Sequence, residues 1–181
     1  MSRKNRKWLV IVLIVLFAGG YIFRFYVLNA TFPKGKVTTI PLGETVEYDN
    51  VKYTAHRGRF MTAEEFNTRY NTDDYYDKGT ELLVVQFDLK NTTNIEQKIH
   101  LSDMVVQCGS WANGEDYYSL WYLNGNDFDG TLSAKEQTTA SIVVIVNTNK
   151  EKLLNSGNEW KVRMSEYPER LEMVFPVEVE E

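Results

Sequence analysis

The sequence has one cysteine and two histidines, and this scarcity limits the chemistry open to the chain. Cys108 has no second cysteine to pair with, so no intramolecular disulfide forms and stability must come from packing. In DMVVQCG it alternates with Val106 and Met104, which predicts a buried thiol that acts as a small hydrophobe. His56 and His100 each fall in a predicted strand pattern, without the serine and aspartate of a triad beside them.

The sequence also has no zinc-ligand spacing, glycine-rich phosphate loop or strand-turn-helix nucleophile motif, so we predict no catalytic residue, no cofactor and no enzyme. Two acidic turns, NTDDYYDKG and NGNDFDG, supply oxygen atoms that calcium prefers: Asp73, Asp74, Asp77, Asn124, Asn126, Asp127 and Asp129. Neither turn fits an EF-hand loop, because Gly130 directly follows the last aspartate and no glutamate occupies the bidentate position. We therefore predict solvated turns and no metal site, with calcium binding left open.

No acidic residue occurs in the first 28 residues, which carry five basic ones. Residues 8–28 form an apolar run whose only charge is Arg24, and a helix of that length is about 31 Å long, enough to span a bilayer. The basic tail, 1–7, predicts a cytoplasmic N-terminus and an extracytoplasmic remainder. Ala18, Gly19 and Gly20 match a cleavage site poorly, and no lipobox cysteine follows, so an uncleaved anchor is favoured over a cleaved leader.

Residues 29–181 contain 15 basic and 25 acidic residues, a net charge of −10. Such a surface repels phosphate backbones and anionic lipid surfaces, so we predict no nucleic-acid partner. The membrane, through residues 8–28, and a protein, peptide or cell-wall ligand are the partners that we expect. Segment 29–36 is the predicted linker, and 37–181 is long enough for one domain with a hydrophobic core.

The dominant period of 37–181 is two, which predicts an all-β domain of seven to nine short strands. TELLVVQFDLKNTT is the clearest strand, and ETVEYDNVKYTAHRG predicts a hairpin with its turn at Asp49 and Asn50. One short helix, about 63–70, is predicted by the capping pair Thr62 and Glu65 and by the apolar pair at positions 61 and 66. A second helical turn near Leu153 and Leu154 is left open. Edge strands of such a sheet are predicted acceptors for a partner strand.

The order of these features resembles the telokin-like, immunoglobulin-type extracellular domains of unknown function that Gram-positive bacteria anchor at the membrane. The matching pieces, over residues 36–179, are PLGETVEYDNVKYTA, GTELLVVQFDLKNTTN, LSDMVVQ with NGEDYYS, and GTLSAKEQTTASIVVIV. SAKEQ replaces the usual Pro-Gly pair, and residues 61–78 form an insertion. The resemblance implies an immunoglobulin-like β-sandwich preceded by a single transmembrane helix, and it implies no reaction.

EDYYSLWYLNGNDF contains the predicted contact surface. Tyrosine and tryptophan dominate binding interfaces, and the residues concerned are Tyr117, Tyr118, Trp121, Tyr122, Tyr75 and Tyr76. The alternative for them is core packing and cross-strand pairing. We predict a non-catalytic, membrane-anchored binding or accessory module; the alternatives are an envelope hydrolase and a regulatory subunit of a membrane complex. The N-glycosylation sequons at Asn29 and Asn91 are interpreted as chance matches.

Overall fold

The computed structural model describes residues 3–32, 35–72, 75–125, 128–166 and 169–178. The chain divides into two compact units, Met1–Lys36 and Val37–Glu181. The first unit contains helix α1 (Arg3–Thr31), and within it Ile11–Thr31 is long and apolar enough to cross a bilayer by length and composition. This helix runs three residues into the segment predicted as a linker, and the side-chain amide of Asn29 donates to the Phe25 carbonyl one turn earlier, at 2.9 Å.

Short strands dominate the second unit, with three short helices among its described residues. In chain order the elements are β1 (Lys36–Ile40), β2 (Thr45–Tyr48), β3 (Val51–Thr62), α2 (Ala63–Tyr70), β4 (Glu81–Asn91), β5 (Gln97–Lys98), β6 (Val105–Cys108), β7 (Trp111–Gly114), α3 (Ser119–Asn124), β8 (Thr131–Leu132), β9 (Gln137–Val146), α4 (Lys150–Leu154), β10 (Trp160–Ser165), β11 (Glu169–Phe175) and β12 (Val177–Glu178). Nine of these strands are longer than two residues, in agreement with the predicted seven to nine.

Two sheets face each other across one core, which makes the domain a β-sandwich. One sheet has the order β1-β11-β10-β6-β7, and the other has the order β12-β3-β4-β9 with β2 also on β3. A small third sheet pairs β5 with β8. The main core draws its side chains from the inward faces of both large sheets, including Phe87, Ile142, Val162 and Phe175. Cys108 lies in this core as a buried free thiol, as its alternation with apolar neighbours predicted.

A bulge in β3 changes which of its residues face the core. The pairing of β3 with β4 shifts between Ala55 and Arg57, so that His56 is the additional residue. Odd-numbered positions are buried before the bulge, whereas Gly58 and Phe60 face inward after it. A bulge re-aims side chains in this way because one residue is left out of the ladder. Gly58 lies so close to Phe175 that an added Cβ atom would be 2.7 Å from its ring.

The β2–β3 hairpin and helix α2 confirm the two clearest local predictions. Asp49 and Asn50 both have positive φ, at 47° and 63°, as a two-residue turn of the favoured handedness requires. The Thr62 hydroxyl caps α2 by accepting from the Glu65 N–H at 3.1 Å. The Glu65 carboxylate pairs with Arg59.

Helix α2 covers the end of β4 that the alternating pattern had left apolar on both faces. Leu82, on the outward face of β4, is buried in a second core cluster together with Met61 and Phe66. Phe66 and Tyr70 stack at 4.7 Å between ring centroids, as their spacing in the helix predicts. The outward face of β4 becomes polar only beyond this cluster, at Gln86 and Asp88.

One strand prediction needs correction. The sequence predicts a strand at His100, but this residue lies in the connection between β5 and β6, where a turn at Leu101–Met104 separates the two strands. The predicted second helical turn is present as α4, where Leu153 is buried and Leu154 is partly buried against the core. A third helix, α3, lies within the aromatic stretch, for which cross-strand pairing was the alternative to a contact surface.

Candidate functional site

The six aromatic residues predicted as one contact surface fall into two groups. Tyr117, Tyr118 and Trp121 are 52%, 65% and 36% exposed, and we call these three side chains the aromatic patch. Their rings contact one another, with centroids of Tyr117 and Trp121 5.1 Å apart and those of Tyr117 and Tyr118 5.8 Å apart. The Tyr118 and Trp121 centroids are 6.4 Å apart. These three residues therefore form one continuous aromatic surface.

The remaining three aromatic residues are placed differently. Tyr76 is 5% exposed, so the prediction that it belongs to a contact surface is wrong. It packs edge-on against Phe66 at 5.0 Å in the core cluster under α2. Tyr75 is half-buried against Tyr76, and Tyr122, 40% exposed, lies 5.4 Å from the Tyr75 ring. Tyr122 is thus the side chain of α3 that faces the tyrosine pair.

Helix α3 sets the spacing of the aromatic patch. The Asp116 carbonyl accepts from both the N–H and the hydroxyl of Ser119, at 3.0 and 2.7 Å, and this turn starts the helix. Because residues three and four apart share a face of a helix, Trp121 is brought against Tyr117 and Tyr118. This i, i+3 and i, i+4 spacing within YYSLWY is typical of residues that share one face of a helix, and it is the signal in the sequence that our prediction missed.

The segment that bears the aromatic patch is hydrogen-bonded to the outer edge of β9, the last strand of its sheet. The Asn124 side chain accepts from the Ser141 N–H at 2.7 Å and donates to the Ser141 carbonyl at 2.9 Å. The Asp116 N–H donates to the Val143 carbonyl at 2.9 Å, and the Asn113 amide donates to the Ile145 carbonyl at 2.8 Å. These contacts occupy the edge at alternate residues. This part of β9 is therefore not available to a partner strand, contrary to the prediction for sheet edges.

Asp116 is also the acceptor for two tyrosine hydroxyls. The Tyr76 hydroxyl donates to Asp116 Oδ2 at 2.5 Å, and the Tyr75 hydroxyl donates to the same atom at 3.2 Å. Burial, followed by the hydrogen bond to Asp116, raises the pKa of Tyr76 far above its usual range. Burial and the charge of Asp116 raise the pKa of Tyr75 in the same way. Both hydroxyls therefore remain protonated donors, and we call these three residues the tyrosine–aspartate cluster.

Glu115 is a half-buried acid next to this cluster, and both of its carboxyl oxygens are shielded from solvent. Neither of its carboxyl oxygens has a hydrogen-bond partner among the described residues. Burial, with a smaller contribution from the charge of Asp116, raises the pKa of Glu115 to about 8. The group is consequently protonated at neutral pH, which avoids the cost of burying an unpaired charge.

A cleft of about 180 Å³ lies beside the aromatic patch. Tyr117 and Trp121 line it, together with the apolar side chains Ile99, Leu101, Leu120 and Phe128. Lys98 and Asp129 are the charged residues in its lining. The Thr131 hydroxyl and N–H both donate to Asp129, at 2.8 and 2.9 Å, and they lower the pKa of this carboxyl. An apolar cleft with few polar groups is typical of a binding site.

Both histidines contact carboxylates, and the fold alone brings Asp88 to His56 and Asp49 to His100. His56 Nε2 lies 2.6 Å from Asp88 Oδ2, and the Thr139 hydroxyl donates to the other oxygen of Asp88 at 3.1 Å. The carboxylate is thus in the middle, whereas a nucleophilic triad needs the histidine between the acid and the hydroxyl. His100 lies between Asp49 and Asp103, at 3.2 and 3.3 Å, where it joins the hairpin turn to the loop before β6.

The two acidic turns are described only in part, because Asp73, Asp74, Asn126 and Asp127 lie outside the described residues. Within the described ranges, no group of three or more histidine, cysteine, aspartate or glutamate side chains converges as a metal site. The Asp77 carbonyl accepts from the Thr80 N–H in a turn. Asn124 and Asp129 have the structural contacts given above.

Asn91, the second sequon, is fully buried at the end of β4. Its amide donates to the carbonyls of Ile95, Leu132 and Ser133 at 2.7 to 3.1 Å. Its carbonyl accepts from the Thr93 N–H and hydroxyl at 2.8 and 2.9 Å. In the folded domain this side chain links β4 to β8 through hydrogen bonds, and it is inaccessible to modification.

No family model and no curated protein matches the chain. Among solved structures, the domain is similar to the secreted protein MPT63 of Mycobacterium tuberculosis: 15% identity, 76% of this chain, 95% of that chain and a TM-score of 0.50. An uncharacterized β-sandwich protein of Clostridium difficile is 12% identical over 78% of this chain and 95% of that chain, with a TM-score of 0.46. A candidate lipoprotein of Bacillus subtilis is 14% identical over 72% of this chain and 38% of that chain, with a TM-score of 0.45. At such identities the likeness concerns the β-sandwich fold alone.

Proposed function

We propose that this protein is a single-pass membrane protein whose extracytoplasmic β-sandwich binds a protein, peptide or cell-envelope ligand and catalyses no reaction. The finer assignment, an immunoglobulin-type, telokin-like domain of a Gram-positive envelope, is part of this proposal. It is supported by the strand and turn order of residues 36–179. The similarity in fold to MPT63, which is described as secreted, agrees with an extracytoplasmic domain.

The exposed aromatic patch is the observation that carries the proposal. Large aromatic side chains are normally buried, and Tyr117, Tyr118 and Trp121 together leave a substantial apolar surface in water. The bonds from Asn124 and Asp116 to β9 hold their segment in place, so a partner meets a preformed surface. Preformed aromatic surfaces bind at low entropic cost, because little side-chain freedom remains to be lost.

Helix α1 supports the anchored topology. Its apolar length matches the hydrocarbon thickness, and the positive charges before it favour a cytoplasmic N-terminus. An anchor of this kind confines the domain to the membrane surface. It raises the local concentration of the domain near envelope ligands without adding any contact.

Site-specific photo-crosslinking tests the binding surface. The full chain is produced in a Gram-positive host with a photoreactive phenylalanine analogue at Tyr118 or, as a control, at Leu42, which is exposed and lies outside the cleft lining. We expect a discrete crosslinked species from position 118 and none of that mass from position 42. In the position 118 chain, Trp121→Ala is expected to reduce the yield by about tenfold, which corresponds to the loss of one hot-spot residue. Equal products from both positions would contradict the proposal.

A further inference from the structure

The cleft lies in an acidic part of the domain, although its own described lining has one acidic and one basic residue, Asp129 and Lys98. The segments 97–103, 115–121 and 128–131, which contribute its described lining, carry one basic residue besides His100, namely Lys98. They carry four acidic residues: Asp103, Glu115, Asp116 and Asp129. Over Val37–Glu181 the imbalance continues, since 20 basic residues less the seven before Val37 leave 13 against 25 acidic, a net charge of −12.

Asp129 is the acidic residue in the described lining of the cleft. Asp103 faces His100, Asp116 accepts the two tyrosine hydroxyls, and the raised pKa of Glu115, about 8, leaves this carboxyl mostly neutral at pH 7. The donors from Thr131 keep Asp129 ionised, and it lines the cleft together with the ring of Trp121. A carboxylate and aromatic rings favour the same ligand charge, because the faces of aromatic rings attract cations.

The volume of the cleft limits the size of what enters it. Sites for whole cofactors or drug-sized ligands measure about 300 to 1,000 Å³. At about 180 Å³, this cleft accommodates one side chain of a larger partner. Ile99 and Leu120 supply apolar contacts of the kind that the aliphatic stem of a lysine or arginine makes while its charged end remains near water.

We propose that the cleft binds a lysine or arginine side chain from a polypeptide partner, with the stem against Ile99 and Leu120 and the charge near Asp129 and Trp121. This inference rests on the proposed function of the aromatic patch and names the chemistry of its partner. Among the described residues of the lining, Lys98 is the one opposing charge, so it weakens the attraction. Its removal is therefore expected to strengthen binding, an effect that misfolding does not produce.

The test is selection of short capped peptides from a random library on the full chain in non-ionic detergent micelles. We expect arginine or lysine at one fixed position of the selected peptides, and weaker binding as salt is raised. Replacing that arginine by citrulline, which keeps the shape and removes the charge, is expected to weaken binding by about tenfold. Trp121→Ala and Asp129→Asn are expected to weaken binding, Lys98→Met to strengthen it, and Leu42→Ala to leave it unchanged.

The outcomes separate this inference from the proposed function. Peptides that depend on Trp121 but select an apolar or acidic residue at the fixed position would overturn the cationic partner and leave the binding surface standing. Failure of Lys98→Met to strengthen binding would also count against the cationic side chain. If no selected peptide depends on Trp121, the cleft is not a peptide site, and this inference fails; crosslinking at position 118 then decides separately whether the aromatic patch binds another ligand.

Discussion

The Tyr76 hydroxyl donates to Asp116 Oδ2 at 2.5 Å, and this bond joins the connection before β4 to the segment that bears the aromatic patch. The same aspartate donates its N–H to the Val143 carbonyl on the edge of β9. One residue therefore connects the second core cluster, the sheet edge and the start of α3. The surface that we assign to binding depends on a partly buried polar contact whose partners are forty residues apart in the chain.

Tyr76→Phe tests this connection. Loss of the hydroxyl leaves Asp116 with Tyr75 as its remaining tyrosine donor, and we expect the free energy of unfolding to fall by about 1 to 3 kcal/mol. Chemical denaturation of the full chain in detergent micelles measures the change. Tyr118→Phe, which removes a hydroxyl from an exposed ring, is the matched control and is expected to be neutral. Equal effects of the two substitutions would show that the bond contributes nothing.

Asn91→Asp is predicted to be strongly destabilising, although it replaces only the side-chain NH2 group by an oxygen atom. It places a carboxylate oxygen against the carbonyls of Ile95, Leu132 and Ser133, which accept hydrogen bonds and cannot donate them. We expect a loss of about 3 kcal/mol or more, measured by thermal and chemical unfolding. Asn94→Asp, at an exposed position of the same turn, is the control. A stable Asn91→Asp domain would contradict the structural role of this side chain.

Gly58→Ala is predicted to strain the core, because its Cβ atom would lie 2.7 Å from Phe175 Cε2 and 3.2 Å from Leu83 Cδ1. The expected cost is about 1 to 3 kcal/mol, as is typical of overpacking. Gly114→Ala is the control, since nothing lies within 4 Å of its added Cβ atom. Phe175→Leu combined with Gly58→Ala is expected to cost less than the sum of the two single changes. Strict additivity would show that the close approach to Phe175 is not the cause.

Stability is predicted to fall as pH rises between about 4.5 and 8, because of Glu115. Its pKa is about 8 in the folded domain and 4.5 in its ordinary state, so between these values the folded chain holds a proton that the unfolded chain releases. The free energy of unfolding then decreases as pH rises through this range and levels off above about pH 8. Glu115→Gln is expected to remove this contribution, whereas the exposed Glu44→Gln is expected to retain it. Unfolding titrations across pH compare the three chains, and an unchanged slope in Glu115→Gln would refute the assignment.

Local signals in the sequence predicted the elements that depend on neighbouring residues. The Asp49–Asn50 turn and the Thr62 cap are examples, because their chemistry lies within four residues. The aromatic patch was predicted as a surface, but α3 was not, since tyrosine and tryptophan also favour strands. The burial of Tyr76 could not be predicted, because its partner Asp116 is brought close only by the fold. The bulge at His56 is equally invisible in a pattern of period two.

Protease treatment of intact cells that produce the full chain with a C-terminal epitope tests the central claim most directly. The account predicts that external protease removes the epitope-bearing domain and leaves a short membrane-bound fragment that mass spectrometry finds to begin at the N-terminus of the chain. A domain protected until the cells are lysed, or a mature chain beginning after Gly20, would contradict the anchored, extracytoplasmic topology.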